Sequence, residues 1–352
     1  MSGGVDSSAA ALLLQQQGYE VTGVTARMFS GSDIGLPGKT LNIERDIKDA
    51  QAVAQKLGIE HRVVDLSACF GQCVIGRFVN EYRCGRTPNP CVYCNKHVKF
   101  GALLDYAKEL GCEYLATGHY ARIFYDRERG RWLLARGEDR RKDQSYMLFS
   151  LSQEQLAHVL LPLAAVSKGE IRRLAEENGL VTAQKPDSQD ICFVPDGDYA
   201  ALISRVDKTP AQTGNFVHIN GQVLGRHKGM VHYTVGQRKG LGIAYDYPLY
   251  VTEKDMASGN VIVGPAEALF SRGLLAESCN FISIEKLDAP MRVTAKTRYR
   301  QEDVPAVIAP CGDDVKVMFD EPMRAVTPGQ AVVFYDGELV VGGGIIKSAL
   351  KE

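Results

Sequence analysis

Two groups of residues in this 352-residue chain have the types and spacing for chemistry. At the amino end, Ser2-Gly3-Gly4-Val5-Asp6-Ser7-Ser8 runs straight into an apolar, helix-forming stretch. Glycines let a backbone approach a ligand closely, and the serine hydroxyls and first N–H groups of the helix then face an anion. Such a loop binds phosphate or pyrophosphate, and Asp6 would help hold Mg²⁺. It lacks the lysine of the Gly-x-x-x-x-Gly-Lys-Ser/Thr loop. The second group is sulfur. Cys91-Val92-Tyr93-Cys94 follows Thr87-Pro88-Asn89-Pro90, whose prolines predict an extended loop. Lys96, His97 and Lys99, with the N-terminus of a following helix, predict thiolate over thiol. Cys192 lies near the end of Lys185-Pro186-Asp187-Ser188-Gln189-Asp190-Ile191-Cys192-Phe193. A lone CxxC fits a redox pair, half a zinc site or part of an iron–sulfur site, and no second CxxC exists. Cys69, Cys73, Cys84, Cys112, Cys279 and Cys311 lack such a context and read as small inert hydrophobes, Cys84 standing out for its closeness to the CxxC.

The elements that must position these groups alternate. Ser8–Gln17 reads as a helix stopped by Gly18, Glu20–Ala26 as a buried strand, Asp46–Leu57 as an amphipathic helix stopped by Gly58, and His61–Leu66 as the next strand. Ala102–Leu110 and Glu113–Thr117 repeat the pattern, and Gln153–Leu160 and Lys168–Asn178 are further helices. Alternation of this kind predicts an α/β domain with a parallel sheet, to which Ala121–Tyr125 and Arg131–Ala135 add a hairpin. After about residue 193 short strands separated by glycines take over: 216–219, 261–263, 291–297, 315–319, 331–335 and 339–341. The domains expected are 1–194 (catalytic), a linker over 195–210, a small β-rich domain over 211–270 and a C-terminal β-barrel over 271–352. A phosphate loop of this kind normally follows a central first strand. No residues stand before Met1 to form it, which reads as a truncated or mis-assigned start.

Composition narrows the classes. With 45% hydrophobic and 24% charged residues the chain is globular, and its longest apolar run falls short of the roughly 18 residues that span a bilayer. No signal peptide or import leader opens it, so the expected location is cytoplasmic, where nine cysteines point to thiol chemistry rather than a disulfide framework. A net charge of −1 neither requires nor excludes a nucleic acid, because a local basic face can be offset elsewhere.

The loop resembles the pyrophosphate loop of ATP pyrophosphatases, which adenylate a carbonyl oxygen and release pyrophosphate. Added to a cysteine pair, it describes an exchange of carbonyl oxygen for sulfur. The segments MSGGVDSSAAALLLQQQGYEVTGV, GRTPNPCVYCNKHVKFGALLDYA, ATGHYAR, KDQSYMLFSL, KPDSQDICFV, HKGMVHYTVGQRKGLGI, RYRQ and AVTPGQAVVFYDGELVVGGGII together resemble the tRNA-specific 2-thiouridylase family (MnmA/TrmU).

The resemblance implies roles. Ser2 to Ser8, with Gly118 and the backbone at Ala26, where the family often has methionine, would hold ATP. Asn89, Pro90 and Cys91 would lie against the target base, Cys94 would be the nucleophile and Cys192 the persulfide carrier. His119, Lys142, Asp143, Gln144, Arg298, Tyr299 and Gln330 would contact tRNA, with Arg136, Arg140 and Arg141 clustered near Lys142. The implied reaction adenylates the C2 oxygen of the wobble uridine of tRNAs for Lys, Glu and Gln. Sulfur from a Cys192 persulfide then displaces AMP, and a Cys94–Cys192 disulfide remains for a reductant. The implied sulfur donor is a cysteine desulfurase or a persulfide relay protein.

Most of the family carries Asp where this chain has Cys91. Two mechanisms stay open: a persulfide relay that needs no base there, and a 4Fe-4S cluster held by Cys91, Cys94 and Cys192. Two other functions compete with thiolation: an amidating ligase with the same loop, and a non-catalytic tRNA-binding protein.

Overall fold

The computed structural model describes residues 1–38, 43–186, 190–210 and 212–351. Asp187, Ser188 and Gln189 of the Lys185–Phe193 stretch therefore lie outside the described residues. Contacts divide the chain into two units, one of Met1–Ile75, Cys91–Phe193 and Glu338–Val341, the other of Gly76–Pro90, Val194–Gly337 and Gly342–Glu352.

The first unit is α/β. In chain order it holds α1 (Val5–Gln16), β1 (Gly23–Arg27), α2 (Ile43–Leu57), β2 (His61–Asp65) and α3 (Ser67–Phe70), which widens into a π-helical turn over Gly71–Gly76. After an excursion through α4 (Arg77–Arg83) of the second unit, the chain enters α5 (Pro90–Tyr93) and a π-helical segment, Cys94–Ala102. There follow α6 (Leu103–Glu109), β3 (Leu115–Ala116), β4 (Ala121–Asp126), β5 (Arg131–Arg136), α7 (Gln153–Ala157), β6 (Val159–Leu160) and α8 (Lys168–Glu177). β1 pairs with β2 and β3 with β6, both in parallel. Among the described residues no strand joins these two pairs. β1 starts at Gly23 rather than Glu20 and is only half-buried. The β4–β5 hairpin is not added to the parallel strands; Ala135 pairs instead with Leu339.

Local sequence explains the helices. α2 buries Ile47, Ala50, Val53 and Ala54 at helical spacing. Gly58, at φ +67°, ends it by letting Ile59 N–H reach Ala54 O at 3.0 Å. Ser167 and Glu170 close a reciprocal cap on α8, worth about 1 kcal/mol. The small residues Ala9, Ala10 and Ala175 let α1 and α8 share one core with Val5, Val53, Tyr120 and Ile171.

In the second unit the stretch expected as a linker contains a helix, α9 (Tyr199–Val206), capped by Asp198. Then come β7 (Gly214–His218), β8 (Val223–His227), β9 (Tyr250–Asp255) and β10 (Asn260–Gly264), forming a sheet of order β8-β7-β10-β9 over Phe216, Tyr233, Val251 and Val261. β11 (Phe270–Phe281), β12 (Met291–Lys296), β13 (Val304–Cys311), β14 (Asp314–Arg324), β15 (Ala331–Asp336) and β16 (Leu339–Leu350) follow in the order β11-β14-β13-β12-β15-β16. β16 pairs back onto β11, which closes a barrel. That seam needs glycine: a Cβ at Gly342 would lie 2.3 Å from Asn280 O, and one at Gly344 2.5 Å from Cys279 Sγ. Among the described residues no helix is long and apolar enough to cross a membrane.

Candidate active site

The phosphate loop is built by close approaches. Gly3 has φ +68°, and a Cβ there would sit 2.3 Å from Asp46 O. Lys185 holds the outside of the turn, donating to Gly3 O at 2.8 Å, Asp46 Oδ1 at 2.7 Å and Asp49 Oδ2 at 2.6 Å. Burial pulls this ammonium down, but the two carboxylates outweigh it and its pKa rises. Ser7 accepts from Ser2 N–H at 3.0 Å and donates to Gly4 O at 3.1 Å. Ser8 is fully buried, bonded to Gly4 O and Thr182, and Val5 is core. Thus Ser2, Asp6 and Ser7 carry the loop's accessible polar side chains, while Val5 and Ser8 fix its shape. Ala26 lies at the C-terminal end of β1, the end where open α/β sheets bind nucleotides, and Thr25 ties that strand to Met1 O at 2.7 Å.

Asp6 is already engaged. Its Oδ1 accepts from Tyr120 Oη at 2.7 Å and from Lys168 Nζ at 2.6 Å. The first residue of α8 thus places a cation on the loop's carboxylate, a contact that no spacing along the chain signals. Gly118 fits against Asp6, where a Cβ would come within 2.7 Å of the Asp6 carbonyl carbon.

The cysteines do not sit in an extended loop. Pro90 opens α5, where a missing N–H costs nothing, and Cys91 and Cys94 lie on the continuous helical run that follows. Cys192 is carried there by packing. Phe193 meets Phe70 edge-to-face at 5.7 Å, and Phe70 stacks on Phe29 at 5.6 Å. Crowding by protein, and then charge on Cys94 or Cys91, raises Cys192. Solvent reaches Cys91 and Cys192, with Cys94 half-buried. Crowding by surrounding protein atoms pushes Cys94 up to about 11 and Cys192 up to about 12, and raises Cys91, although the last two keep one face to solvent. The thiolate expected from neighbouring cations is thus not favoured at rest. Lys96 and His97 are exposed; Lys99 lowers the three thiols, joined at Cys192 by a backbone hydrogen bond, and crowding by protein outweighs both.

His119, expected at tRNA, is buried. Its Nδ1 pairs with Thr117 Oγ1 at 2.7 Å and its Nε2 lies 3.5 Å from Lys99 Nζ. Burial, then Lys99, holds it well below the usual imidazole range, so it is neutral and orients Lys99. Asp143 is buried too, accepting from Gly137 and Ser145 N–H, each at 3.1 Å. Gln144 brackets Tyr120, its side-chain Oε1 accepting from Tyr120 N–H at 3.0 Å and its own N–H donating to Tyr120 O at 2.8 Å. Lys142 is half-exposed and Arg141 is 93% exposed, whereas Arg140 pairs with Glu338. In the second unit, Arg298 is tied to Ala325 O and Thr327 Oγ1 at 2.9 Å each, and Tyr299 lies beneath Lys296. Gln330 donates to Thr87 O at 2.8 Å, and Gly329 leaves room for Thr87, where a Cβ would lie 2.8 Å from its nitrogen. These two residues hold the strand of chain that leads through the half-exposed Asn89 and buried Pro90 toward Cys91.

Among the described residues no three His, Cys, Asp or Glu side chains are arranged to hold one metal ion.

The sequence matches three domain models in order: a tRNA methyl transferase HUP domain over residues 1–196, a tRNA methyl transferase PRC-barrel domain over 206–265 and an aminomethyltransferase β-barrel domain over 271–346. It is 51% identical to tRNA-specific 2-thiouridylase MnmA 1 of Caldanaerobacter subterraneus subsp. tengcongensis, covering 100% of this chain and 97% of that one. The chain belongs to the tRNA-specific 2-thiouridylase family. The MnmA of Clostridioides difficile is 47% identical over 99% of this chain and 97% of its own. A solved structure, the U34-tRNA thiolase NcsA of Methanococcus maripaludis with its 4Fe-4S cluster, aligns with TM-score 0.34 and 19% identity over 59% of this chain and 68% of that one, too remote to carry any inference. As a 2-thiouridylase family member the chain has the expected order of a nucleotide-binding α/β domain followed by two β-rich domains.

Proposed function

We propose that this chain carries out its family's reaction, sulfur transfer to C2 of the wobble uridine in tRNAs for Lys, Glu and Gln, through a persulfide relay. One observation carries the reading: residues 117–120 touch both groups of chemical residues. Gly118 and Tyr120 contact Asp6 of the phosphate loop, while His119 between them bears on Lys99, the cation beside Cys91, Cys94 and Cys192. Activation and sulfur delivery would then meet within one unit.

ATP is the first substrate. A uracil C2 oxygen leaves badly, so transfer of AMP to it converts it into a leaving group, with pyrophosphate departing toward Ser2, Ser7 and the first turn of α1. Asp6 would offer Mg²⁺ one carboxylate, so the ion would arrive on the triphosphate and screen its charge. Lys168, released from Asp6, would meet the same phosphates. The base must be unstacked to expose C2, and Asn89, Pro90 and Cys91 would receive it.

The resting thiols are protonated, which keeps Cys94 and Cys192 unreactive until sulfur is loaded. A persulfide is more acidic than a thiol, so the terminal sulfur of Cys192 ionises near neutral pH with Lys99 nearby. That sulfur attacks C2 and AMP leaves. Cys94 then attacks the Cys192 Sγ, breaking the S–S bond. The sulfur remains on the base, and a Cys94–Cys192 disulfide holds the two electrons' worth of oxidation. A cysteine desulfurase or relay protein supplies the sulfane sulfur, and a dithiol reductant reopens the disulfide.

Reconstitution tests this. Wild-type protein with ATP, Mg²⁺, tRNA and a desulfurase should form 2-thiouridine, and the Cys94→Ala, Cys192→Ala double variant should lose it by at least about 10³-fold while keeping tRNA-dependent ATP–pyrophosphate exchange. Undiminished thiolation in the double variant would refute the relay.

A further inference from the structure

The helical run that carries the cysteines is wider than an α-helix, and a side chain from α7 holds it that way. Cys94–Ala102 is π-helical, and at its end Leu103 N–H reaches back five residues to Val98 O. Residues five apart are hydrogen-bonded neighbours in this register, so Lys99 shares a face with Cys94. In an α-helix, five steps of about 100° would turn Lys99 about 140° away from it.

Such a register needs support. Where i→i+5 bonding gives way to i→i+4 at α6, one carbonyl is left without an N–H, and an orphaned acceptor is costly inside a protein. Gln155 brings donors to this stretch: its Nε2 donates to Lys96 O at 2.9 Å and to Phe100 O at 2.7 Å. Gly101 leaves Lys96 O open, since a Cβ there would lie 3.3 Å from that oxygen. The other end of the same amide works locally. Gln155 Oε1 accepts from Ser152 N–H at 3.0 Å, half of the reciprocal cap that starts α7. At the start of the segment, the buried Asn95 donates from Nδ2 to Met147 O at 3.0 Å and fixes the turn beside Cys94. Loss of the wide register would therefore turn Lys99 rather than Cys94. In that register the Lys99 Nζ lies 3.5 Å from His119 Nε2.

Resting on the assignment of Cys94 as a reacting thiol, we propose that Gln155 is a positioning residue: its amide holds Cys94–Ala102 in π-helical register and so keeps the Lys99 ammonium on the face that bears Cys94. Crowding by protein raises the Cys94 thiol, and Lys99 is the cation that opposes it. A carboxamide suits this double task because it accepts at the cap and donates to the helix, whereas a carboxylate does only the first.

The test is the rate of Cys94 alkylation by iodoacetamide at pH 8.5, read by peptide mass spectrometry on resting full-length protein with no sulfur loaded. Gln155→Glu keeps the cap and loses the donors, Gln155→Met loses both without adding charge, and Ser152→Ala loses only the cap. Both Gln155 variants should react at Cys94 at least about threefold more slowly than wild type, with Ser152→Ala unchanged. In the Lys99→Met background the Gln155 substitutions should add no further slowing. Amide hydrogen exchange over residues 94–102 should quicken in Gln155→Glu and not in Ser152→Ala. Alkylation of Gln155→Glu at or above the wild-type rate would reduce Gln155 to a helix cap, and slowing that persists beside Lys99→Met would show that it does not act through Lys99. Either result overturns the positioning role and leaves the relay standing. Failure of the relay shows separately, as thiolation that survives loss of Cys94 and Cys192.

Discussion

At the scale of single residues, the account turns on protonation. Cys94 at about 11 and Cys192 at about 12 are held up by burial, and Lys99 counters only part of that. Well below these values the thiolate fraction rises tenfold per pH unit. Alkylation of Cys94 and Cys192 by iodoacetamide should therefore climb about tenfold per unit from pH 7.5 to 9.5. The rate of sulfur transfer from preloaded Cys192 persulfide should be nearly flat over the same range, because the persulfide is already ionised. A plateau in the alkylation rate near pH 8 would show ordinary thiols and remove the protective role of burial. Lys99→Met deletes the one cation acting on these sulfurs, so sulfur transfer should fall by about tenfold and alkylation should slow further. Both are read by stopped assays on the same protein. The chemical types were plain in the sequence: Asp6, Cys94 and Cys192 were singled out by neighbours along the chain. Lys168 and Tyr120 were not, because their contacts with Asp6 cross 114 or more residues; Lys99 was read as a cation near the thiols, but its contact with the buried His119 was not foreseen. The expectation that His119 and Asp143 face tRNA failed to foresee their burial, since a hydrophilic side chain in a motif looks the same whether it reads a ligand or closes a turn.

At the scale of elements, one tight turn and one aromatic cluster do the positioning. Gly3→Ala would put a Cβ into Asp46 O in a left-handed backbone. It should cost about 1–3 kcal/mol of stability and abolish ATP binding, measured by thermal melting and by ATP titration. A variant that binds ATP normally would show that the loop's tight turn is dispensable. Phe70→Ala removes the ring that both Phe29 and Phe193 pack on. Expected are a loss of about 3–5 kcal/mol and a thiolation defect larger than any defect in ATP–pyrophosphate exchange, because the Cys192 segment loses its anchor. Helices with strong periodicity were legible: the apolar positions of α2 and the Ser167–Glu170 cap of α8 are local signals. The CxxC was misjudged as extended, because Pro88 and Pro90 look alike in sequence, yet Pro90 serves as the first residue of α5. The strand β1 is shorter than its apolar run, and helix α9 within the expected linker is held by the Asp198 cap and by Ala200, Leu202 and Ile203.

At the scale of the molecule, the change of texture after residue 193 reflects a real change of architecture, from parallel pairs with helices to a four-stranded sheet and a closed barrel. Barrel closure itself could not be read locally. It depends on β16 meeting β11 through Gly342 and Gly344, whose partners lie more than 60 residues earlier. Near-zero net charge likewise hid the tRNA partner, since a basic cluster such as 136–142 is balanced elsewhere in the chain. The central claim is that Cys192 carries the sulfur that ends on the base. Its most direct test loads Cys192 with ³⁴S-labelled persulfide, adds ATP and tRNA for a single turnover, and reads 2-thiouridine by nucleoside mass spectrometry. The account predicts ³⁴S at C2 with wild-type protein and none with Cys192→Ala; equal labelling by the two proteins would contradict it.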